Sequence, residues 1–268
     1  MGMVVQHNIS ALNANNAMTR NVSGLGKSTE KLSTGYSINR AADNAAGLAI
    51  SEKMRSQIRG LSQATNNAND AISLIQTAEG GLQETEDILQ RMRELAIQAK
   101  SGIMSDSDKG AIQSEIDQLK QGIANIADQT DYNGKKLLDG SNSNISMVSS
   151  SKGEEVSFDA GNATLDALGI KDFDVTRNFS LDTIDNALDK VTEQRSKAGA
   201  QYNRLDYASM YNANVSYNTT ASKSRLEDLD FAKAVSDQKK NETLRSYQLL
   251  MQRRQQEDEA RKMNSFFI

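Results

Sequence analysis

The clearest pattern along the chain is a heptad repeat of apolar residues between Leu61 and Ala99. One heptad position is apolar throughout, at Leu61, Ala68, Ile75, Leu82, Leu89 and Ala96. The position three residues later is apolar except at Thr85, with Ala64, Ala71, Ala78, Met92 and Ala99. A 3.5-residue repeat sustained over this length is typical of helices that pack side by side in a bundle or coiled coil.

This first helix has recognisable limits in the sequence. Asp43 and Asn44 are both suitable N-cap residues, and Gly102 is a suitable end. The part between Leu61 and Ala99 alone is about 58 Å long as a helix. A compact globule of 268 residues would be only about 48 Å across. The pattern therefore predicts an elongated helical rod.

A second helix is predicted between the capping cluster Ser105–Asp108 and the turn signal Asp131–Gly134. Because only a short loop separates it from the first helix, the two are expected to run antiparallel. Its apolar residues recur at helical spacing, at Ile112, Ile116, Leu119, Ile123 and Ile126.

The composition changes between Lys135 and Asn178, where Gly, Ser and Asn become frequent. The segments ISMVSSS, EEVSF and KDFDVT alternate enough to predict short strands or hairpins. Since the region is too short for a domain of its own, we expect a small β region that covers part of the rod.

Helical spacing resumes at Ser180, a cap residue, and only Arg195 interrupts it. The apolar positions are Leu181, Ile184, Leu188, Val191, Ala198, Tyr202 and Leu205.

The two chain ends favour helix but carry few apolar residues, so they are too weakly apolar to fold alone. The sequence predicts a mainly α fold, a long antiparallel helical rod or coiled-coil bundle with a small β-hairpin region in mid-chain. The expected segments are residues 1–42, 43–134, 135–178, 179–230 and 231–268.

Composition and charge exclude several functions. The chain has no Cys, Trp or Pro, and its one histidine is His7, so thiol or imidazole catalysis and a metal centre are not expected. We expect no enzyme activity and no cofactor. The 31 basic and 35 acidic residues argue against nucleic-acid binding. No apolar run is long enough to insert in a membrane, and the start does not resemble a secretory signal peptide.

Two short motifs resemble ligand sites. Gly26-Lys27-Ser28 matches the end of a phosphate-binding loop, but Asn21 stands where that loop needs glycine. Asp106 and Asp108 resemble the start of a calcium loop whose later positions do not match, so helix capping is the better interpretation.

The outside of the first helix carries Gln90, Arg91, Arg93, Glu94 and Gln98. From the spacing alone, an ordinary solvated helix face is favoured. The alternative is a docking surface for a neighbouring rod.

Long segments of the chain resemble bacterial flagellins. They include HNISALNANNAM, STEKLSTGYSINRAADNAAGLAISEKMRSQIRGLSQATNNANDAISLIQTAEGGLQETEDILQRMRELAIQA, IQSEIDQL, QTDYNGKKLLDG, ALDKVTEQRSKAGAQYNRLDYA and SRLEDLDFAKAVSDQKKNETL. The resemblance covers about Met3 to Met251, and only Ser141–Asn178 is unspecific. Since large outer domains of the family are inserted at that position, this chain resembles a short form without them.

The resemblance implies a structural subunit that polymerises into the flagellar filament for swimming motility. It also implies secretion through the flagellar type III apparatus to the extracellular filament, with both chain ends paired in the inner tube. The implied partners are further copies of the chain, the filament cap protein, the hook-associated junction protein and an export chaperone.

Members of the family are also recognised by the host Toll-like receptor 5 through the outer helix face. The positions that match are Gln90, Arg91, Leu95 and Glu115. In the filament the same positions are implied to make contacts between subunits, so the receptor would bind only monomers.

One departure from the family concerns the C-terminus, which is usually uncharged and rich in Gln and Ala. Here MQRRQQEDEARKMNSFFI is highly charged. The alternatives to a filament flagellin are a hook–filament junction protein, which shares the terminal helices, and a coiled-coil adhesin or scaffold.

Overall fold

The computed structural model describes residues 9–142 and 144–266, so His7 and the last two residues lie outside the described part. The chain forms two compact units. The central unit is Gln57–Asn218, and the terminal unit combines the residues up to Ser56 with those from Thr219 onward. The helices are α1 (Ile9–Thr34), α2 (Ala45–Ala99), α3 (Asp106–Gln129), α4 (Leu165–Leu168), α5 (Asp182–Glu227) and α6 (Phe231–Phe266). The strands are β1 (Asp131–Tyr132), β2 (Lys135–Lys136), β3 (Ile145–Val148) and β4 (Glu155–Phe158).

Polar contacts in the central unit establish that α2 and α5 run antiparallel. Arg93 Nε donates to Asp185 at 2.7 Å near one end, and Ser209 Oγ donates to Asn69 at 3.4 Å near the other. Between them, Arg195 donates to Glu86 at 2.6 Å. The charge that interrupts the apolar pattern of α5 is therefore half-buried and neutralised by a carboxylate of α2.

The heptad positions of α2 form much of the central core. Leu61, Ile75, Leu82, Leu89 and Met92 are all buried, as are the alanines between them. Thr85, the exception in the pattern, is fully buried, and its hydroxyl donates to the carbonyl of Gly81 at 2.8 Å. A threonine fits this position because the preceding helical turn satisfies its only polar group.

The predicted caps of α2 and α3 are present. Asn44 accepts a hydrogen bond from the Gly47 amide at 2.9 Å, and α2 then continues to Ala99. Ser105 and Asp108 form a reciprocal capping box at the start of α3. Hydrogen bonds from the Ser105 hydroxyl and amide lower the pKa of the Asp108 carboxyl below its ordinary value. The acidic cluster is a helix cap rather than a calcium loop.

The β region consists of two separate antiparallel pairs, β1–β2 and β3–β4. The turn between β1 and β2 places Asn133 and Gly134 at φ values of 50° and 74°, which are typical of a two-residue type I′ hairpin. ISMVSSS and EEVSF supply β3 and β4, as the sequence predicts.

The prediction of a strand in KDFDVT is wrong. Asp174 accepts hydrogen bonds from the amide and the hydroxyl of Thr176, and Gln113 of α3 accepts one from the Val175 amide at 2.8 Å. Because these side chains satisfy the backbone, the segment folds as turns that bury Phe173 and Val175. The alternation of apolar residues reflects burial and not a strand.

Two adjacent glycines in α2 predict opposite responses to alanine. A Cβ atom on Gly80 meets nothing within 4 Å, whereas one on Gly81 lies 2.7 Å from Leu138 Cδ1 and 2.8 Å from Thr130 Oγ1. We expect Gly80→Ala to raise the free energy of unfolding by about 0.5–1 kcal/mol through reduced chain entropy. Gly81→Ala should lower it, because Leu138 is fully buried and has no room to move. Urea unfolding of both variants tests this, and equal stabilisation would contradict the close packing at Gly81.

In the terminal unit, α1 and α6 pack as an antiparallel pair. The Asn21 side chain donates to the Asn241 carbonyl at 3.1 Å and to Gln248 at 3.3 Å. Gly26-Lys27-Ser28 lies in the middle of α1, so its amides are engaged in the helix and do not form a phosphate-binding loop. Within the described side chains of these two helices, only Ala234 is buried. This pair therefore has little core of its own.

A buried carboxylate joins the two helix breaks of the terminal unit. Glu227 is 2 % exposed and lies 2.9 Å from Lys223 and 3.3 Å from Arg55. Its carbonyl accepts from the Ser37 amide at 2.6 Å, and the Leu229 amide donates to Gly35 at 3.0 Å. The segment after α1 is thereby tied to the segment after α5.

The charge of Glu227 predicts a pH-dependent contribution to this junction. Burial raises the pKa of its carboxyl, but hydrogen bonding from Ser51 and the charges of Lys223 and Arg55 outweigh burial, so the net pKa lies below the ordinary 4.5. A lowered folded-state pKa means that the stabilisation is complete above about pH 4.5 and is lost as the pH falls through the folded-state value. Glu227→Gln should lower local stability by about 1–2 kcal/mol at neutral pH, because Lys223 loses its carboxylate partner and Arg55 keeps only Glu52.

Amide exchange at Ser37 and Leu229 measures this effect. The difference between Glu227→Gln and the parent should be largest at neutral pH and should shrink in acid. Glu155→Gln, which removes an exposed carboxylate of β4, is the control and should leave both amides unchanged. A difference that is independent of pH would contradict the role of the charge.

Candidate subunit contact face

An exposed ionic cluster connects α2 and α3 on the surface of the central unit. Arg91 donates through Nη2 and Nε to Glu115 of α3, at 2.9 and 3.2 Å, and through Nη1 to Glu94 at 3.0 Å. Gln90 lies beside it, within 3.5 Å of Glu86. We call Gln90, Arg91, Glu94 and Glu115 the contact face. Arg91 and Glu115 are still 51 % and 46 % exposed, so their charges remain available to another molecule.

Electrostatics reinforce this arrangement. The hydrogen bond to Glu115, and then the one to Glu94, raise the pKa of the Arg91 guanidinium above its ordinary value. Arg91 therefore stays charged at any physiological pH, and its planar group is held by two carboxylates on different helices. The face is a preorganised pattern of charge on rigid helices.

Leu95 does not lie on this face, although it belongs to the positions suggested by the family resemblance. Its side chain is only 3 % exposed and is part of the central core. Both Leu95 and Ala96 are buried, so α2 buries a wider band here than the two heptad positions that predict its core. Leu95 supports the contact face from beneath, while Gln90, Arg91 and Glu115 are the exposed positions.

Arg93 lies on the opposite flank of α2 and pairs with α5. The hydrogen bond and charge of Asp185 raise the pKa of its guanidinium. Arg91 and Arg93 thus connect α2 to its two neighbouring helices on opposite flanks.

Among the described residues, no group of three or more His, Cys, Asp or Glu side chains could hold a metal ion. No helix in the described part of the chain is long and apolar enough to cross a membrane.

Several features of the structure were not apparent from the heptad pattern. The buried Glu227 is one, because a glutamate in a helical sequence gives no sign of its burial. Another is a set of exposed large apolar side chains in the central unit, at Ile97, Ile103, Tyr207, Met210, Tyr211 and Tyr217. The four of them that lie on α5 recur at helical spacing, and the sequence contains that signal.

Comparisons with known proteins cover nearly the whole chain. The family model for the bacterial flagellin N-terminal helical region matches residues 5–143, and that for the C-terminal helical region matches residues 181–259. A flagellin of Halalkalibacterium halodurans is 43 % identical over 242 residues, covering 88 % of this chain and 89 % of the relative. A flagellin of Bacillus subtilis is 41 % identical over 281 residues, covering 90 % and 92 %.

Solved structures agree with these relatives. The crystal structure of Bacillus cereus flagellin is similar with a TM-score of 0.50 and 29 % identity, over 55 % of this chain and 88 % of that one. A putative flagellar hook-associated protein from Vibrio parahaemolyticus has a TM-score of 0.57 over 69 % of this chain and 100 % of that one. At 16 % identity, that second likeness concerns the fold alone.

Proposed function

The chain belongs to the bacterial flagellin family and is a structural subunit of the flagellar filament, and we propose that its contact face joins neighbouring subunits. The exposed, doubly paired guanidinium of Arg91 is the observation that carries this proposal. A solvated helix face needs no cross-helix ionic cluster. A subunit surface benefits from one, because preorganised charges bind a partner at a lower entropic cost.

The same face is proposed to bind Toll-like receptor 5 when the chain is a monomer. Gln90, Arg91 and Glu115 would contact the receptor, and Leu95 would act only by supporting α2. Because neighbouring subunits would cover these side chains, assembly and receptor binding would exclude each other.

Flagellins form the extracellular flagellar filament. We propose that this chain reaches it through the flagellar type III apparatus with an export chaperone, and assembles beyond the hook-associated junction protein under the filament cap protein. The proposed inner tube is formed by residues 1–42 and 231–268, with α1 and α6 as its paired helices.

The variant Arg91→Ala tests the contact face. The monomer should remain folded, because Arg91 lies at an exposed helix position and its partners stay solvated. Filament growth and receptor binding should both weaken. Circular dichroism, seeded polymerisation and a binding assay with the receptor ectodomain measure the three properties.

Arg177→Ala is the matched control, since it removes another exposed arginine that pairs with an acidic residue. It should affect neither assembly nor receptor binding. If Arg91→Ala behaves like this control in both assays, the cluster is an ordinary solvated surface. Loss of assembly with full receptor binding would separate the two proposed roles.

A further inference from the structure

A stripe of large exposed side chains runs along α5 on the side that faces away from the buried Leu205. Tyr207, Tyr211 and Tyr217 are 73 %, 67 % and 75 % exposed, and Met210 lies between them at 54 %. We call these four residues the tyrosine stripe. Their spacing places them on one side of the helix, where aromatic side chains contribute nothing to the core of their own unit.

The composition around the tyrosine stripe is that of a buried interface. The same side of α5 continues through Ser196, Ala200, Asn203 and Asn214, which are exposed and uncharged. The exposed Arg204, one helical turn before Tyr207, adds one charge at the edge of the stripe. Enrichment of Tyr, Met and Arg distinguishes the centre of a protein interface from ordinary surface.

The area of the tyrosine stripe is large enough for the centre of such an interface. Three tyrosines at these exposures present about 300–500 Å². The largest apolar patch of a typical monomer is of similar size and is often functional. It is about half of the roughly 800 Å² that each partner contributes to a stable interface. The stripe is large enough to be its centre.

A second exposed apolar surface lies at the opposite end of the central unit. Ile103, in the loop between α2 and α3, is 89 % exposed, and Ile97 in the last turns of α2 is 48 % exposed. We call these two residues the isoleucine tip. Since Ser209 of α5 contacts Asn69, the stripe lies beside the region of α2 around Asn69. At 1.5 Å per residue, that region is about 45 Å from the end of α2 at Ala99.

We propose that the tyrosine stripe of one subunit receives the isoleucine tip of the next subunit in the filament. Two different surfaces at opposite ends of one unit produce a head-to-tail contact, and such contacts repeat into an open helical polymer instead of closing as a dimer. The occupant of the stripe is therefore a second copy of this chain. The inference goes beyond the contact face and rests only on the chain being a filament subunit.

Single substitutions at each surface test the proposal on the full-length chain. Tyr211→Asp and Ile103→Asp each place a charge in the contact and should slow elongation from wild-type filament seeds by at least about tenfold. Tyr211→Phe should elongate at the parental rate, because the ring supplies the contact. Ser157→Asp, which adds the same charge on the exposed side of β4, should also elongate normally. All four monomers should keep the parental helical signal and melting temperature.

Mixing experiments test the head-to-tail polarity. A growing filament end adds each new subunit through only one of its two surfaces. A variant in which that surface is intact still joins the end and then blocks the next addition, whereas a variant in which it is damaged does not join. One of the two aspartate variants should therefore inhibit wild-type growth when it is the minor component, and the other should not. If Tyr211→Asp stops growth while Ile103→Asp elongates normally, the stripe does not receive the tip. Normal growth of both variants would also overturn the proposal. Because none of these variants changes Arg91, failure here is distinguishable from failure of the contact face.

Discussion

Leu82→Asp should unfold the central unit. Leu82 is 1 % exposed and lies among the buried residues of α2 that form the core with α3 and α5. The substitution removes the transfer free energy of a buried leucine, about 2 kcal/mol, and places a carboxylate within the apolar core. Together with the cost of an unpaired buried charge, roughly 3–5 kcal/mol, this is a large part of the stability of a typical domain.

The neighbouring variant Gln83→Asp is the control for Leu82→Asp. It introduces the same residue one position along the same helix, where the side chain is exposed. Thermal unfolding followed by circular dichroism should show a much lower midpoint for Leu82→Asp and a nearly unchanged one for Gln83→Asp. Equal midpoints would show that the heptad positions of α2 do not form a tightly packed core.

Deletion of residues 1–33 or of residues 235–268 should abolish polymerisation and leave a soluble, helical monomer. The described side chains of α1 and α6 bury almost nothing, while Leu12, Tyr247 and Leu250 are exposed. Ordering a residue costs about 1–2 kcal/mol, and this pair of helices has too little buried apolar surface to offset that cost alone. Burial against neighbouring subunits would supply the missing stabilisation.

Hydrogen exchange distinguishes this explanation from simple loss of a contact. In the monomer, the amides of α1 and α6 should exchange quickly, and in the filament they should be protected. Leu250→Asp keeps the chain at full length and should weaken assembly without changing the central unit. Strong protection of both ends before assembly would contradict the prediction, and so would filaments grown from either deletion variant.

The charged end of α6 belongs to the same prediction. Arg253 and Arg254 each have an acidic residue four positions later, Glu257 and Asp258, so pairs along the helix can neutralise them in the assembled tube. This offers a way for a charged segment to replace the uncharged one that is usual in the family.

Much of the fold follows from local rules that the sequence expresses directly. The heptad positions of α2 predict its core, and Ser105 with Asp108 predicts the start of α3, because caps and helical periodicity depend on residues a few positions apart. Asn133-Gly134 likewise predicts a hairpin by its own backbone preferences. The long motifs identify the flagellin family without any structure.

The tertiary structure decided the features that depend on distant partners. Leu95 is buried because two helices flank α2 there, and residues 171–176 form turns because Gln113 of α3 and local side chains satisfy their backbone. Glu227 becomes a buried junction only when Arg55, far away in sequence, is placed beside it. Periodicity determines which side of a helix is apolar, but only packing determines how wide a band is covered. It also determines which polar groups find partners and which apolar side chains, such as Tyr211 and Ile103, remain exposed for another subunit.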